Sequence, residues 1–239
     1  MSRGRLALTI ALTAAASAGI GALAVFRWLG QPERVVANYH LWYHRNGATT
    51  YNNTRWLGTA TQKCPLDAWV LQELLFEAKP DVLVETGTYR GGSSFYYASV
   101  MDLINRGRIL TVDIENYAGK PQHPRVQFFL GSSTSPEILD RLRAAIEPGE
   151  KVMVTLDSDH HAAHVAEELK LYHDLVTPGS YLVVEDTHFN GRPILPGFGP
   201  GPYEAVEAFL RAHPNFQRDR SREKFGMTFN PGGWLKRLS

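Results

Sequence analysis

Short apolar runs recur through the second two-thirds of the chain, at residues 82–84, 109–112, 126–130, 152–156 and 181–184. Between most of them the apolar residues switch to helical spacing. Examples are Phe95, Tyr96, Ala98 and Met101, then Ile138, Leu139, Leu142, Ala145 and Ile146, then Ala162, Val165, Leu169, Tyr172 and Val176. Continuous apolar runs mark strands buried on both faces, and amphipathic stretches between them mark helices covering a parallel sheet. The pattern predicts an α/β fold, doubly wound around a mostly parallel sheet. Upstream, Pro65 at a first helical position opens a helix with Val70, Leu71, Leu74 and Leu75 on one face, ending near Lys79 and Pro80. Downstream, residues 203–212 read as a helix that buries Val206, Phe209 and Leu210. The stretches 216–219 and 225–229, the turn 230–233 and residues 234–237 read as a hairpin supplying final antiparallel strands. Residues 33–62 are aromatic and polar without a clean period, which suggests a helix and then an irregular segment. The chain thus divides into a hydrophobic segment (1–30), a helical and aromatic cap (31–80) and a core (81–239).

The ends of the strands carry the chemistry. The first closes on Glu85, the second on Asp113, the fourth on Asp157 and the fifth on Glu185 and Asp186. Ligands of open α/β sheets bind outside the carboxyl ends of the strands, so these acids gather along one edge. After Glu85, Gly87 and Gly91 allow a tight turn before Ser93 and Ser94 open a helix, whose free N–H groups face a ligand. The spacing E-x-G-x-x-x-G departs from the dinucleotide fingerprint G-x-G-x-x-G. It suits a ligand with a positive amino group, pointing to S-adenosylmethionine (SAM), with Glu85 toward the ammonium group, directly or through water. Asp113, one βα unit on, is placed to hold a ribose diol. Ser132 and Ser133, after the third strand, offer hydroxyls and N–H groups where an adenine edge would lie.

Asp157, Glu185 and Asp186 then lack an organic partner. Crowded carboxylates repel, and a hard divalent cation such as Mg2+ would compensate them, although one or two could instead cap the helices that follow. His160, three residues beyond Asp157, can project over the same site as a general base, with Asp159 as the alternative. His161 and His164 have the spacing of a zinc pair but no third nitrogen or sulfur ligand nearby. Trp42, Tyr43 and Trp56 either pack the cap on the core or line an acceptor pocket. The Gly- and Pro-rich stretch 191–202 reads as an ordered lid over the acceptor.

Six blocks occur in order: V-E-T-G-T-Y-R-G-G-S (84–93), T-V-D (111–113), G-S-S-T (131–134), L-D-S-D-H (156–160), V-V-E-D (183–186) and P-G-F-G-P-G-P-Y-E-A (196–205). Together they resemble the bacterial cephalosporin-hydroxylase-like methyltransferases, and within them the rhamnosyl O-methyltransferases of mycobacterial glycolipids, over about residues 35–237. The resemblance implies a class I SAM-dependent O-methyltransferase with a seven-stranded sheet and a magnesium site held by Asp157, Glu185 and Asp186. Compared with catechol-type O-methyltransferases, Glu85, Tyr89, Ser93, Asp113 and Ser133 match cofactor contacts, and His160 falls where those enzymes carry a lysine base. The acceptor implied is a sugar hydroxyl, with a small secondary metabolite as the alternative.

A formal charge of +1 gives no reason to expect a nucleic-acid partner. The single cysteine, Cys64, rules out an internal disulfide framework and reads as structural. Residues 6–26 carry no charge and are flanked by Arg3, Arg5 and Arg27. They read as a membrane anchor with a cytoplasmic catalytic domain, because SAM is a cytosolic cofactor; the alternative is a signal peptide cleaved near Ala16–Ala18 before export. A homo-oligomer is left open. Two other classes compete. A nonheme iron hydroxylase would conscript His160, His188 and Asp186, and a non-catalytic glycan-binding module would leave the carboxylates unused. A serine hydrolase lacks its G-x-S-x-G elbow.

Overall fold

The computed structural model of this 239-residue chain describes Val25 and residues 30–239. Helix α1 (Pro32–Arg45) leads through two short 3-10 turns to a two-stranded ribbon, β1 (Arg55–Trp56) and β2 (Thr59–Ala60). The core then alternates: α2 (Pro65–Ala78), β3 (Val82–Thr86), α3 (Gly92–Leu103), β4 (Arg108–Asp113), β5 (Val126–Leu130), α4 (Pro136–Ala144), β6 (Val152–Leu156), α5 (Ala162–Tyr172) and β7 (Tyr181–Val184). The chain closes with α6 (Pro202–Ala212), β8 (Phe216–Arg218) and β9 (Trp234–Arg237).

Seven strands form one sheet in the order β5-β4-β3-β6-β7-β9-β8. β3 to β7 are parallel, and β8 and β9 run antiparallel at the far edge. The alternation along each strand explains the two helical layers. Val82 and Val84 face one side and meet Leu142 of α4, Leu169 of α5 and Val206 of α6. Leu83 faces the other side with Ile109 and Met153, against Leu71 and Leu75 of α2 and Tyr97 and Met101 of α3. The sheet is therefore covered on both faces, as its continuous apolar runs require. The stretch 225–229 is not a strand. Met227 and Phe229 instead pack with Tyr43 and Cys64 in a small separate cluster that pins α1 to the C-terminal part of the chain.

One reading is corrected here. Among the described residues no helix is long and apolar enough to cross a membrane, so the membrane-associated placement does not hold. The segment 6–26 on which it rested lies, Val25 apart, outside the described residues.

A buried acid ties α2 to the same C-terminal stretch. Asp67, in the first turn of α2, is 3% exposed and accepts the Phe229 N–H at 2.7 Å. Burial pushes its pKa up from 3.8 to about 7, against the opposing hydrogen bonds of Thr228 and Phe229. The folded state thus binds this proton more tightly than the unfolded chain, and this contribution to stability is lost as pH rises from about 4 through about 7. Asp67→Asn keeps an acceptor for Phe229 and removes the titration. Matched thermal melts should show the variant gaining on the wild type as pH rises across that window. Parallel pH profiles would show that Asp67 is ionised in the fold throughout.

Candidate active site

Strand order reverses between β3 and β6, and the loops leaving these two strands face each other across a cavity of about 670 Å3. Gly87 (φ +84°) is the contact point. A Cβ there would stand 1.9 Å from the Asp157 carbonyl oxygen, so only glycine fits. Gly92 is pressed equally hard on the Ala60 carbonyl, with 2.1 Å for a Cβ.

The first end of the cavity is lined by Gly87, Tyr89, Ser93, Asp113, Ser132 and Ser133. Asp113 is fixed by two backbone donors, Tyr89 N–H on Oδ2 at 2.7 Å and Glu115 N–H on Oδ1 at 2.9 Å. The Tyr89 ring meets Tyr117 edge-on at 4.8 Å. Ser133 bonds His164 Nε2 through its hydroxyl at 3.2 Å and accepts the Tyr172 hydroxyl on its carbonyl at 2.7 Å. A nucleoside placed here would meet a carboxylate for its diol and hydroxyls for its base edge.

Glu85 and Gly91 do not line the cavity. Gly91 (φ +74°) is the left-handed residue that starts α3. The Glu85 carboxylate is fully buried and accepts hydroxyls of Ser93 at 2.5 Å, Ser94, and Thr111 at 2.7 Å. It locks strand to helix from beneath.

At the second end, Asp157, His160 and Asp186 converge, with one donor atom from each within 4.8 Å of the others. Asp186 (φ +54°) is held from every side. Its N–H donates to Asn230 Oδ1 at 2.9 Å, Oδ2 lies 3.2 Å from His160 Nε2, and Oδ1 lies 3.3 Å from His188 Nε2. Burial works against its charge, but His160 and then His188 outweigh it and hold its carboxyl below the usual range. Glu185 is not one of the three converging groups but is joined to Asp157 through a shared lysine. Thr155 Oγ1 donates to it at 2.8 Å, and Lys63 Nζ sits 2.5 Å from it and 2.6 Å from Asp157. Burial disfavours the Lys63 charge, but Asp157 and Glu185 more than restore it, and its pKa is held well above the ordinary lysine value.

Asp159 spends its Oδ1 on the N–H of His161, at 2.7 Å, and on its ring Nδ1, at 2.8 Å. Asp159 is thus engaged with its own turn through one oxygen. The hydroxylase set His160, His188 and Asp186 does come together, but His188 uses both ring nitrogens: Nε2 faces Asp186, and Nδ1 meets His40 Nε2 at 2.8 Å. No lone pair remains for iron. Burial, then His188 and His44, push the His40 pKa down to about 3, so His40 is neutral.

The expected acceptor aromatics lie elsewhere. Trp42 is exposed, Tyr43 packs in the small cluster, and Trp56 bonds Ser99 at 3.0 Å. Besides Tyr89 and Tyr117, the aromatic lining comes from Tyr51, Phe189 and Phe229. Residues 191–202 do not line the cavity; they brace it from outside. Phe198 stacks on His161 at 5.0 Å, and the Pro200 carbonyl accepts the Ala162 N–H at 3.0 Å. Lys63 and His40 were the residues that sequence reasoning missed, and His164, weighed only as half of a zinc pair, meets the Ser133 and Ser158 hydroxyls instead. For Lys63 a signal existed: strand-end acids too numerous to be left uncompensated require a cation, and a side chain can supply one.

A family model described as rhamnosyl O-methyltransferase/CmcI matches residues 48–238. Rhamnosyl O-methyltransferases of Mycobacterium bovis and Mycobacterium leprae are 42% and 41% identical over 212 residues, covering 86% of this chain and 86% and 91% of those proteins. Among solved structures, apo CmcI aligns with a TM-score of 0.61 at 20% identity, over 79% of this chain and 77% of that one. CmcI with Mg and SAM aligns at 0.60 and 19% identity, over 79% and 78%. The structural likeness establishes the shared fold.

Removing the Lys63 ammonium would leave two buried carboxylates unpaired, at a cost of roughly 3–5 kcal/mol. Lys63→Met should therefore melt well below the wild type, and added Mg2+ should raise the Tm of the variant more than that of the wild type. Equal melting of the two proteins without added cation would show that the bridge contributes nothing.

Proposed function

The chain belongs to the rhamnosyl O-methyltransferase/CmcI family of SAM-dependent O-methyltransferases, and from that premise we propose that it transfers the methyl group of SAM to a sugar hydroxyl carried on a glycolipid. The observation that carries this reading is a single cavity lined by Asp113 and Ser133 at one end and by Asp157, His160 and Asp186 at the other. A nucleoside-bearing donor and a hydroxylated acceptor can share it. The names of the mycobacterial relatives support a sugar acceptor. The rings of Tyr51, Phe189 and Phe229 suit the apolar face of a hexose.

On this reading Asp113 holds the ribose diol, Ser132 and Ser133 the base edge, and Tyr89 and Ser93 the wall beside them. The second end fits a divalent cation: two carboxylates and an imidazole converge there, and Asp186 is positioned by groups on both of its oxygens. Asp157 and Asp186 would hold it, with Glu185 kept back by Lys63. Once bound, it would supply electrostatic stabilisation to the oxygen that loses its proton.

The chain's own residues do the rest. His160 Nε2 faces Asp186 Oδ2 at 3.2 Å, and on this reading its Nδ1 would receive the hydroxyl proton. The acceptor oxygen forms its bond to the methyl carbon as the sulfur–carbon bond breaks, and the positive charge of the donor is lost. Holding the two reactants aligned in one cavity is the larger contribution, worth up to roughly 7–11 kcal/mol in good cases.

A second reading places His160 among the cation ligands, since its donor atom lies within 4.8 Å of both acids. His160→Ala separates the two. If His160 is the base, kcat should fall by about 10²–10⁴-fold while Mg2+ affinity by calorimetry is unchanged. If it is a ligand, the affinity itself should fall. Asp157→Asn and Asp186→Asn should both abolish turnover of SAM. Mass spectrometry of a rhamnosylated glycolipid incubated with enzyme and SAM should show the gain of one methyl group. No gain with that acceptor, but methylation of a small phenolic or macrolide alcohol, would overturn the glycolipid assignment.

A further inference from the structure

Asp186 is the most constrained acid of the site, and the constraint reaches back to the first described helix. His188, which follows it by two residues, is 1% exposed and sits 4.3 Å from the Phe229 ring, between the cavity and α1. His40 comes from the middle of α1, is 3% exposed, and stacks on the other side of the same cluster, 5.4 Å from Phe229 with the rings within 6° of parallel. The hydrogen-bond directions follow from chemistry. A carboxylate only accepts, so His188 Nε2 carries the proton toward Asp186 Oδ1. With His188 in this tautomer its Nδ1 accepts and His40 Nε2 donates across the 2.8 Å contact, which gives the chain one polarity, from α1 through two imidazoles to the acid.

We propose that His40 and His188 are positioning residues of the methyl-transfer site, with His40 fixing the tautomer of His188 and His188 in turn fixing Asp186. Neither touches a reacting atom in this role. His188 occupies one oxygen of Asp186 and leaves the other directed at His160. Without the His40 donor, His188 is free to place its proton on Nδ1. The contact with Asp186 would then pair a bare nitrogen with a carboxylate oxygen, and the acid would turn away. Outer partners of this kind commonly contribute about 10–100-fold to activity or ion affinity. Helix α1, which by composition reads as packing, becomes part of the catalytic apparatus.

The proposal rests on the methyltransferase reading of this cavity, and its test separates the two. His40→Leu removes the donor and keeps an apolar side chain among the rings, whereas His40→Gln returns an N–H close to the position of Nε2. His40→Leu should lower kcat about tenfold or more with the KM for SAM unchanged within about twofold, because the Asp113 end is untouched. His40→Gln should restore most of kcat. Long-range 1H–15N NMR of the imidazoles should show His188 as the Nε2–H tautomer in the wild type and in His40→Gln, but mixed or inverted in His40→Leu. Wild-type kcat in His40→Leu, or an equal loss in both variants, would overturn the proposal, since the second result is what simple disruption of α1 produces. If the wild type methylates no sugar acceptor, the functional reading fails. The NMR signature then decides the positioning claim alone, and an unchanged His188 tautomer in His40→Leu overturns it.

Discussion

Lys63, almost without solvent, bridges Asp157 and Glu185, and much of the surrounding structure depends on that charge being present. A parallel sheet that ends its strands on carboxylates collects negative charge where water is scarce, and an unpaired buried carboxylate costs several kcal/mol. Each acid here meets a different compensation. Glu85 takes three hydroxyls from α3 and β4, Glu185 takes a hydroxyl and the ammonium, and Asp186 faces two imidazoles. The compensating groups come from before α2, from α3, and from the loops that follow β6 and β7. The acids therefore organise the fold around them as well as the chemistry between them.

That distribution of partners explains what could be read from the chain and what could not. Strands and covering helices were legible because burial on two faces leaves an unbroken apolar run, as in residues 152–156, and burial on one face leaves a helical stripe, as along Val165, Leu169 and Tyr172. The strand-end acids were legible because topology alone brings them to one rim. Their individual roles were not. Glu85 and Glu185 look alike in sequence, each closing a strand, but hydroxyls from eight, nine and twenty-six residues away converge on the first and a lysine from the cap on the second. Such partners are close in space and distant along the chain, so no local spacing records them.

The aromatic stretch before α2 shows the same limit. It holds residues of opposite fates at short intervals: Trp42 is exposed, Tyr43 is core, and Tyr51 lines the cavity. Along an isolated helix and its irregular continuation, period distinguishes inside from outside only when one large surface covers the element. Here the covering surface is small, made of Met227, Phe229 and their neighbours. It comes from a stretch, 225–229, whose alternation resembled a strand but whose apolar residues serve this contact.

The absence of room for a side chain at Gly87 has a mechanical meaning. The turn after β3 and the end of β6 meet through main-chain atoms, and a methyl carbon on Gly87 would lie only 1.9 Å from the Asp157 carbonyl oxygen. In the proposed mechanism, the span between donor and proton acceptor is thereby set by the peptide skeleton. Side chains such as Tyr51 and Phe229 can be exchanged to admit other alcohols without lengthening the path the transferred carbon must cross. Evolution, or a designer, can retune what is methylated while the stroke length of the reaction stays constant.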